Sequence, residues 1–205
     1  MTRGTTRQEP PPADLSKFPE TKAPRTVYRA VRRGPWWFCT DGLCRFDLTD
    51  PAASRGTLYA AIDKITPVLE VIGPEFLGRP ISRAFLAQRE LHQLRITPTS
   101  LAALSDRSAS GFGVSNELTA MTPYAVPQQW ATGLDSQGFG GILYRSRFNT
   151  AAIPTAIALF GPAGQAKQRS VSQGACDSAS ILAALKRAGH IVDQPPPLSG
   201  LDVIT

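Results

Sequence analysis

Very little in this chain points to metal, redox or membrane chemistry. It holds three cysteines, Cys39, Cys44 and Cys176, an odd number that does not suit a disulfide framework and fits a reducing cytoplasm. Cys39 and Cys44 have neither a second pair nor a His-x-x-x-His segment nearby, so a tetrahedral zinc site lacks ligands and no metal is expected. The two histidines, His92 and His190, lie in separate regions and read as surface or structural residues. The longest apolar stretch, 151–160, contains Pro154 and falls short of the roughly 20 residues a spanning helix needs. The amino terminus is polar and proline-rich, without the apolar core of a secretory signal. No Gly-x-Gly-x-x-Gly opens a helix after the first strand, and no Gly-Lys-Ser follows a glycine-rich loop. The motifs of dinucleotide redox enzymes and phosphate-loop hydrolases are therefore missing. The expectation is a soluble, cytoplasmic protein without membrane contact.

What is present is enough apolar material for one core. With 205 residues, 42% of them hydrophobic, a single domain is expected. The formal charge of +6 invites a nucleic-acid reading, but its location opposes one. Residues 1–33 carry eight basic and three acidic side chains, leaving 14 basic and 13 acidic in the remainder, so the body is almost neutral. Nucleic acid is not an expected partner. Residues 1–24 contain Pro10-Pro11-Pro12 and only Leu15 and Phe18 as large apolar side chains, which predicts a flexible basic tail. The folded domain is expected over 25–190, with a second loose tail over 191–205 that holds Pro195-Pro196-Pro197.

Local patterns divide that domain. Thr26–Val31 alternates as a strand, and Thr57–Ala61 reads as another. Ile65, Val68, Leu69 and Ile72 form a helical stripe that Asp63 or Thr66 can cap, that tolerates Pro67 in its first turn, and that Gly73-Pro74 should stop. Glu70 lies one position beyond that stripe, where a solvated helix carboxylate is the ordinary expectation. A strand is expected over 89–96, a helical turn over 100–104, and a Ser- and Gly-rich loop covering a cleft over 105–121. Thr122-Pro123 suggests a cap and first position for a helix carrying Gln129 and Trp130. Strands at 142–144 and 154–160 and a helix over 178–188 complete an α+β pattern.

Four landmarks in this order carry a resemblance. They are Val27-Tyr28-Arg29, Arg45-Phe46 leading to Gly56-Thr57-Leu58-Tyr59-Ala60, Leu69-Glu70, and Gly141-Ile142-Leu143-Tyr144-Arg145-Ser146. Together they resemble the RES-domain family, named for an Arg, a Glu and a Ser, over roughly Thr26 to Gly161. Two departures stand out: a long insert between Arg45 and Tyr59, with Asp47 where the family often has Asn, and a divergent 105–121. The resemblance implies a compact α+β fold like that of ADP-ribosyltransferase toxins. It implies an enzyme that takes NAD as substrate, not as cofactor, and breaks its bond to nicotinamide, with inorganic phosphate or water as acceptor. It also implies a toxin paired with an antitoxin protein. Arg29, Glu70 and Ser146 would be the catalytic trio, with Arg45 and Tyr59 binding substrate.

Those residue types suit that chemistry. Bond cleavage builds positive charge on the ribose carbon, which a carboxylate such as Glu70 stabilises electrostatically or by orienting a ribose hydroxyl. The forked donors of Arg29 and Arg45 match phosphate better than lysine would. Ser146 could hydrogen-bond the nicotinamide amide or ribose, and Tyr59 could stack on a flat ring. Two rivals remain at this point: a protein ADP-ribosyltransferase, and a non-catalytic module working through its basic tail. Without the resemblance, Arg29 and Arg45 read as surface or ion-paired residues, Tyr59 as core, and Ser146 as a strand end.

Overall fold

The computed structural model describes residues 8–32, 34–50, 52–76, 78–150 and 152–193. In chain order they form β1 (Glu20–Lys22), β2 (Thr26–Val31), β3 (Trp37–Phe38), β4 (Arg55–Ala61), α1 (Thr66–Phe76), β5 (Ile81–Ser82), α2 (Arg83–Ala87), β6 (Glu90–Arg95) and β7 (Ser100–Ala103). Two 3-10 helices follow, Arg107–Phe112 and Asn116–Thr119. The chain then runs through α3 (Ala125–Ser136), β8 (Gly141–Tyr144), β9 (Ala156–Pro162), β10 (Gly164–Gln165), β11 (Ser170–Ala175), α4 (Ala179–Arg187) and β12 (Val192–Asp193). Eight strands make one sheet in the order β1-β7-β8-β9-β4-β2-β6-β11, antiparallel except for the β7–β8 pair. The mixed helix and strand content of this single compact domain is α+β.

Strand alternation divides the core. On β9, Ile157 and Leu159 join Val27, Trp36, Phe38 and Leu58 against one face, while Ala156, Ala158 and Phe160 face the other way with Phe46, Trp130 and Tyr144. A third cluster joins Val68, Leu69 and Ile72 of α1 to Leu86 of α2, Leu91 of β6, and Ile181 and Leu185 of α4. The expected stripe on α1 is therefore its buried face.

The sheet is loosest where it matters most. β4 and β9 are in register from Arg55↔Pro162 to Ala61↔Ala156, and β2 and β6 from Thr26↔Arg95 to Val31↔Glu90. Between β2 and β4 the ladder is recorded at Tyr28↔Ala61 alone. Beyond it the strands part and open a gap inside the sheet.

The amino-terminal expectation is corrected. Residues 8–24 are docked rather than flexible; residues 1–7 and 194–205 lie outside the described residues. Leu15 and Phe18 are 1% and 3% exposed, and the Phe18 ring lies 5.1 Å from Phe112 and 5.9 Å from Trp130. Trp130 Nε1 donates to the Glu9 carbonyl at 2.9 Å, Gln8 bonds Gly113 and Ser115, and β1 pairs with β7. Two anchors suffice because each contributes about 1.5–3 kcal/mol on full burial. Pro10 to Pro12 also have little backbone freedom to lose.

Other local expectations shift too. Residues 100–103 are strand β7, not a helical turn, because pairing with both β1 and β8 fixes them extended. Thr122-Pro123 is a cis peptide ahead of α3, whose cap is Tyr124. Residues 107–112 and 116–119 of the expected loop are helical. Gly73-Pro74 does not stop α1, which runs on to Phe76. Gly73 is there for close approach: a Cβ on it would lie 2.3 Å from the Phe148 ring. Glycine lets the segment after β8 lie directly against α1, on the side that carries Glu70.

Candidate active site

The gap between β2 and β4 is the mouth of a cleft of about 400 Å³, within the range of small-molecule sites. Arg29 and Val31 come from one lip, Tyr59 and Ala60 from the other. α1 supplies Glu70 and Val71, and Tyr144, Arg147 and Phe148 come from β8 and the turn that follows it. Leu43 to Arg45, Thr119 and Tyr124 close the remaining side. The splayed strands explain why side chains from opposite sheet faces share one cavity.

Arg29 anchors on one bond, donating from Nη1 to the Trp37 carbonyl at 3.1 Å. Burial lowers its pKa, opposed by nearby Cys39, Cys44 and Tyr59. Arg45 is 9% exposed; its Nη1 donates to the Met121 carbonyl at 2.6 Å and its guanidinium lies 4.9 Å from the Tyr124 ring centre. Burial, then Arg147, lowers its pKa.

The loop carrying Arg45 is pinned to β4 by alternate residues. Thr57 Oγ1 donates to the Phe46 carbonyl at 2.9 Å and accepts from Leu48 N at 3.2 Å. The Tyr59 hydroxyl accepts from Phe46 N at 2.9 Å and donates to Asp47 Oδ1 at 2.9 Å, while Asp47 Oδ2 accepts from Cys44 N at 2.8 Å. The two-residue strand period puts Thr57 and Tyr59 on the same side, so Gly-Thr-Leu-Tyr acts as a clamp. Asp47 is fully buried, and desolvation pushes its pKa up to about 6. Tyr59 thus has a satisfied hydroxyl and offers the cleft only its ring.

Glu70 is half-buried rather than solvated. Burial raises its pKa, and hydrogen bonding from Ser146, then the charges of Arg45 and Arg147, pull it back down. Ser146 itself stands behind Glu70. Its Oγ accepts from Phe148 N at 3.0 Å and Asn149 N at 3.2 Å, and it lies near enough to Glu70 to lower that carboxylate's pKa. Four of the five expected residues, Arg29, Arg45, Tyr59 and Glu70, line the cleft, and Ser146 supports the fourth.

Tyr144, Arg147, Tyr124 and Thr119 are cleft residues that the sequence reading did not select. Tyr144 is 6% exposed and packs edge-on to Phe46 at 4.9 Å; among the described residues its hydroxyl has no hydrogen-bond partner. Its place two residues before Ser146 was the available signal. Cys44 also lines the cleft and is exposed there. Among the described residues no cluster of His, Cys, Asp or Glu could hold a metal ion, and no helix is long and apolar enough to cross a membrane.

The fold and site define an α+β protein whose split sheet holds one carboxylate among three guanidinium groups. The chain belongs to the RES-domain family, whose model matches residues 23–178. A similar solved structure is the M. tuberculosis MbcT–MbcA toxin-antitoxin complex, at 14% identity over 73% of this chain and 84% of that one, with a TM-score of 0.48. No curated protein matches the sequence.

Proposed function

We propose that this protein consumes NAD by cleaving the bond between nicotinamide and ribose, with phosphate or water as acceptor. Membership of the RES-domain family and one local observation support the reading. Glu70 stands beside Ser146, which favours its ionised form, in a cleft whose other charged groups are all guanidinium. In the reaction the ribose–nitrogen bond breaks, its electron pair returns to the nicotinamide ring and cancels that ring's positive charge, and an acceptor oxygen bonds to the ribose carbon while its proton leaves to solvent. Glu70 is the catalytic residue. Its carboxylate faces the positive charge that develops on the ribose. Arg29 and Arg45 hold the diphosphate, each already oriented by one backbone carbonyl. Tyr59 contributes a flat ring, and Ser146 positions Glu70 rather than touching substrate.

Purified protein incubated with NAD, with and without inorganic phosphate, tests this by the release of nicotinamide. ADP-ribose 1-phosphate as product identifies phosphate as acceptor and ADP-ribose identifies water. Absence of nicotinamide release from folded protein would reject the reading. Within it, the chain is the toxin of a toxin–antitoxin pair acting in the cytoplasm.

A further inference from the structure

The amino-terminal segment acts on the cleft without lining it. Gln8 is 4% exposed, and its side-chain amide uses its full bonding capacity. Nε2 donates to the Glu9 carbonyl at 3.1 Å and to the Gly113 carbonyl at 3.0 Å, while Oε1 accepts from Ser115 N at 2.9 Å and from Ser115 Oγ at 2.8 Å. The backbone N of Gln8 donates to Glu117 Oε2 at 3.3 Å. A glutamine paired at every donor and acceptor fixes the groups around it in one arrangement.

The residues it holds lead directly to Arg45. Ser115 caps the 3-10 helix Asn116–Thr119, its Oγ accepting from Glu117 N at 3.3 Å. The Glu117 carbonyl accepts from Met121 N at 2.7 Å, and the Met121 carbonyl accepts from Arg45 Nη1 at 2.6 Å. Thr119 and Tyr124, which flank Met121, line the cleft, and the Tyr124 ring lies against the Arg45 guanidinium. The other end of the segment is anchored independently, by buried Leu15 and Phe18 and by the bond from Trp130 Nε1 to the Glu9 carbonyl. Gln8 therefore stands between a fixed core and the wall that aims Arg45. It also precedes residues 23–178, the RES domain itself.

We propose that Gln8 is a positioning residue for the cleft. It fixes the wall formed by residues 113–121 and, through the Met121 carbonyl, the direction in which Arg45 faces. Gln8 touches no substrate. Its effect falls on binding rather than on bond cleavage, because Arg45 meets the diphosphate alike in the ground and transition states. The proposal rests on the NAD reading for what Arg45 binds, but not for the hold on Arg45.

Gln8→Ala removes the side-chain ties to Gly113 and Ser115. In nicotinamide release by the full chain it should raise the KM for NAD about fivefold to tenfold and leave kcat within about twofold. Gln8→Glu keeps the acceptor for Ser115 but sets a carboxylate against the Gly113 carbonyl, near Glu117. Its KM relative to the parent should be raised at about pH 8 and fall back toward the parental value at about pH 5, where the neutral acid can donate again. Ile181→Ala, buried in a different cluster from Leu15 and Phe18, is the control for lost stability. Modification by phenylglyoxal, read at Arg45 by peptide mass, needs no NAD. It should run several-fold faster in Gln8→Ala and at the parental rate in Ile181→Ala. Faster modification of Arg45 in a protein that releases no nicotinamide would keep the positioning role and discard the NAD reading. Parental KM and parental modification of Arg45 in the folded Gln8 variants would overturn the proposal. So would a loss shared equally by Ile181→Ala, which makes it a matter of stability, or a loss confined to kcat, which separates it from binding.

Discussion

Ser146→Ala separates two roles that a serine in this position could have. In the fold its oxygen takes two backbone N–H groups, those of Phe148 and Asn149, and its hydroxyl lowers the pKa of neighbouring Glu70. Removing the hydroxyl leaves those N–H groups without their partner at a site 6% exposed, a cost of about 1–3 kcal/mol in stability. It also removes a donor from the ionised carboxylate. A hydrogen bond to a charged group contributes about 1.5–3 kcal/mol, so the acid limb of the pH–rate profile should move upward by about one to two pH units. The sign follows from which form the hydroxyl favours: it stabilises the carboxylate, so its loss favours the protonated, inactive form. The assay is kcat/KM for nicotinamide release between pH 4 and 9, beside a denaturant melt at each pH. A variant with an unmoved acid limb but a raised KM would refute the argument and make Ser146 a substrate contact.

Other expected outcomes follow from the same geometry. Glu70→Gln should lower turnover at least about a hundredfold while leaving the melt unchanged or slightly higher, since a half-buried charge is removed; near-normal turnover would reassign Glu70. Asp47 has its pKa raised from 3.8 to about 6, so the folded protein favours its protonated form and loses that advantage as pH climbs through 6. Asp47→Asn should therefore gain stability relative to the parent between pH 4 and 7, by up to about 3 kcal/mol, and urea melts across that range that keep a constant difference would contradict it. Leu15→Ala should cost about 2–5 kcal/mol, whereas a free amino-terminal tail would show no change in the melt.

Much of the site was legible because its residues lie at marked places in local patterns. Arg29 sits on an alternating strand, Glu70 beside a helical stripe, and Tyr59 in a short apolar strand, and each of those elements formed where its period placed it. The errors have a common cause. Residues 100–103 have no decisive local preference and became a strand because two neighbours pair with them. Gly73 resembles a helix stop and is instead the point where Phe148 lies against the helix. Leu15 and Phe18 look too sparse to order a proline-rich segment until a ready-made aromatic cluster receives them.

The sequence by itself determined the strands at β2, β4 and β6, the apolar face of α1, and the order of the landmarks that place the chain in its family. These are short-range properties, set by side-chain period and turn chemistry within a few residues. Tertiary structure alone decided which hydroxyls are spent and which are free, that Ser146 stands behind Glu70, and that Arg147 joins Arg45. Those outcomes depend on contacts between distant positions, such as Arg45 with Met121 and Gln8 with Ser115, and on a sheet that parts after one rung between β2 and β4. Periodicity along a chain carries no information about how far a ladder will run once two strands meet.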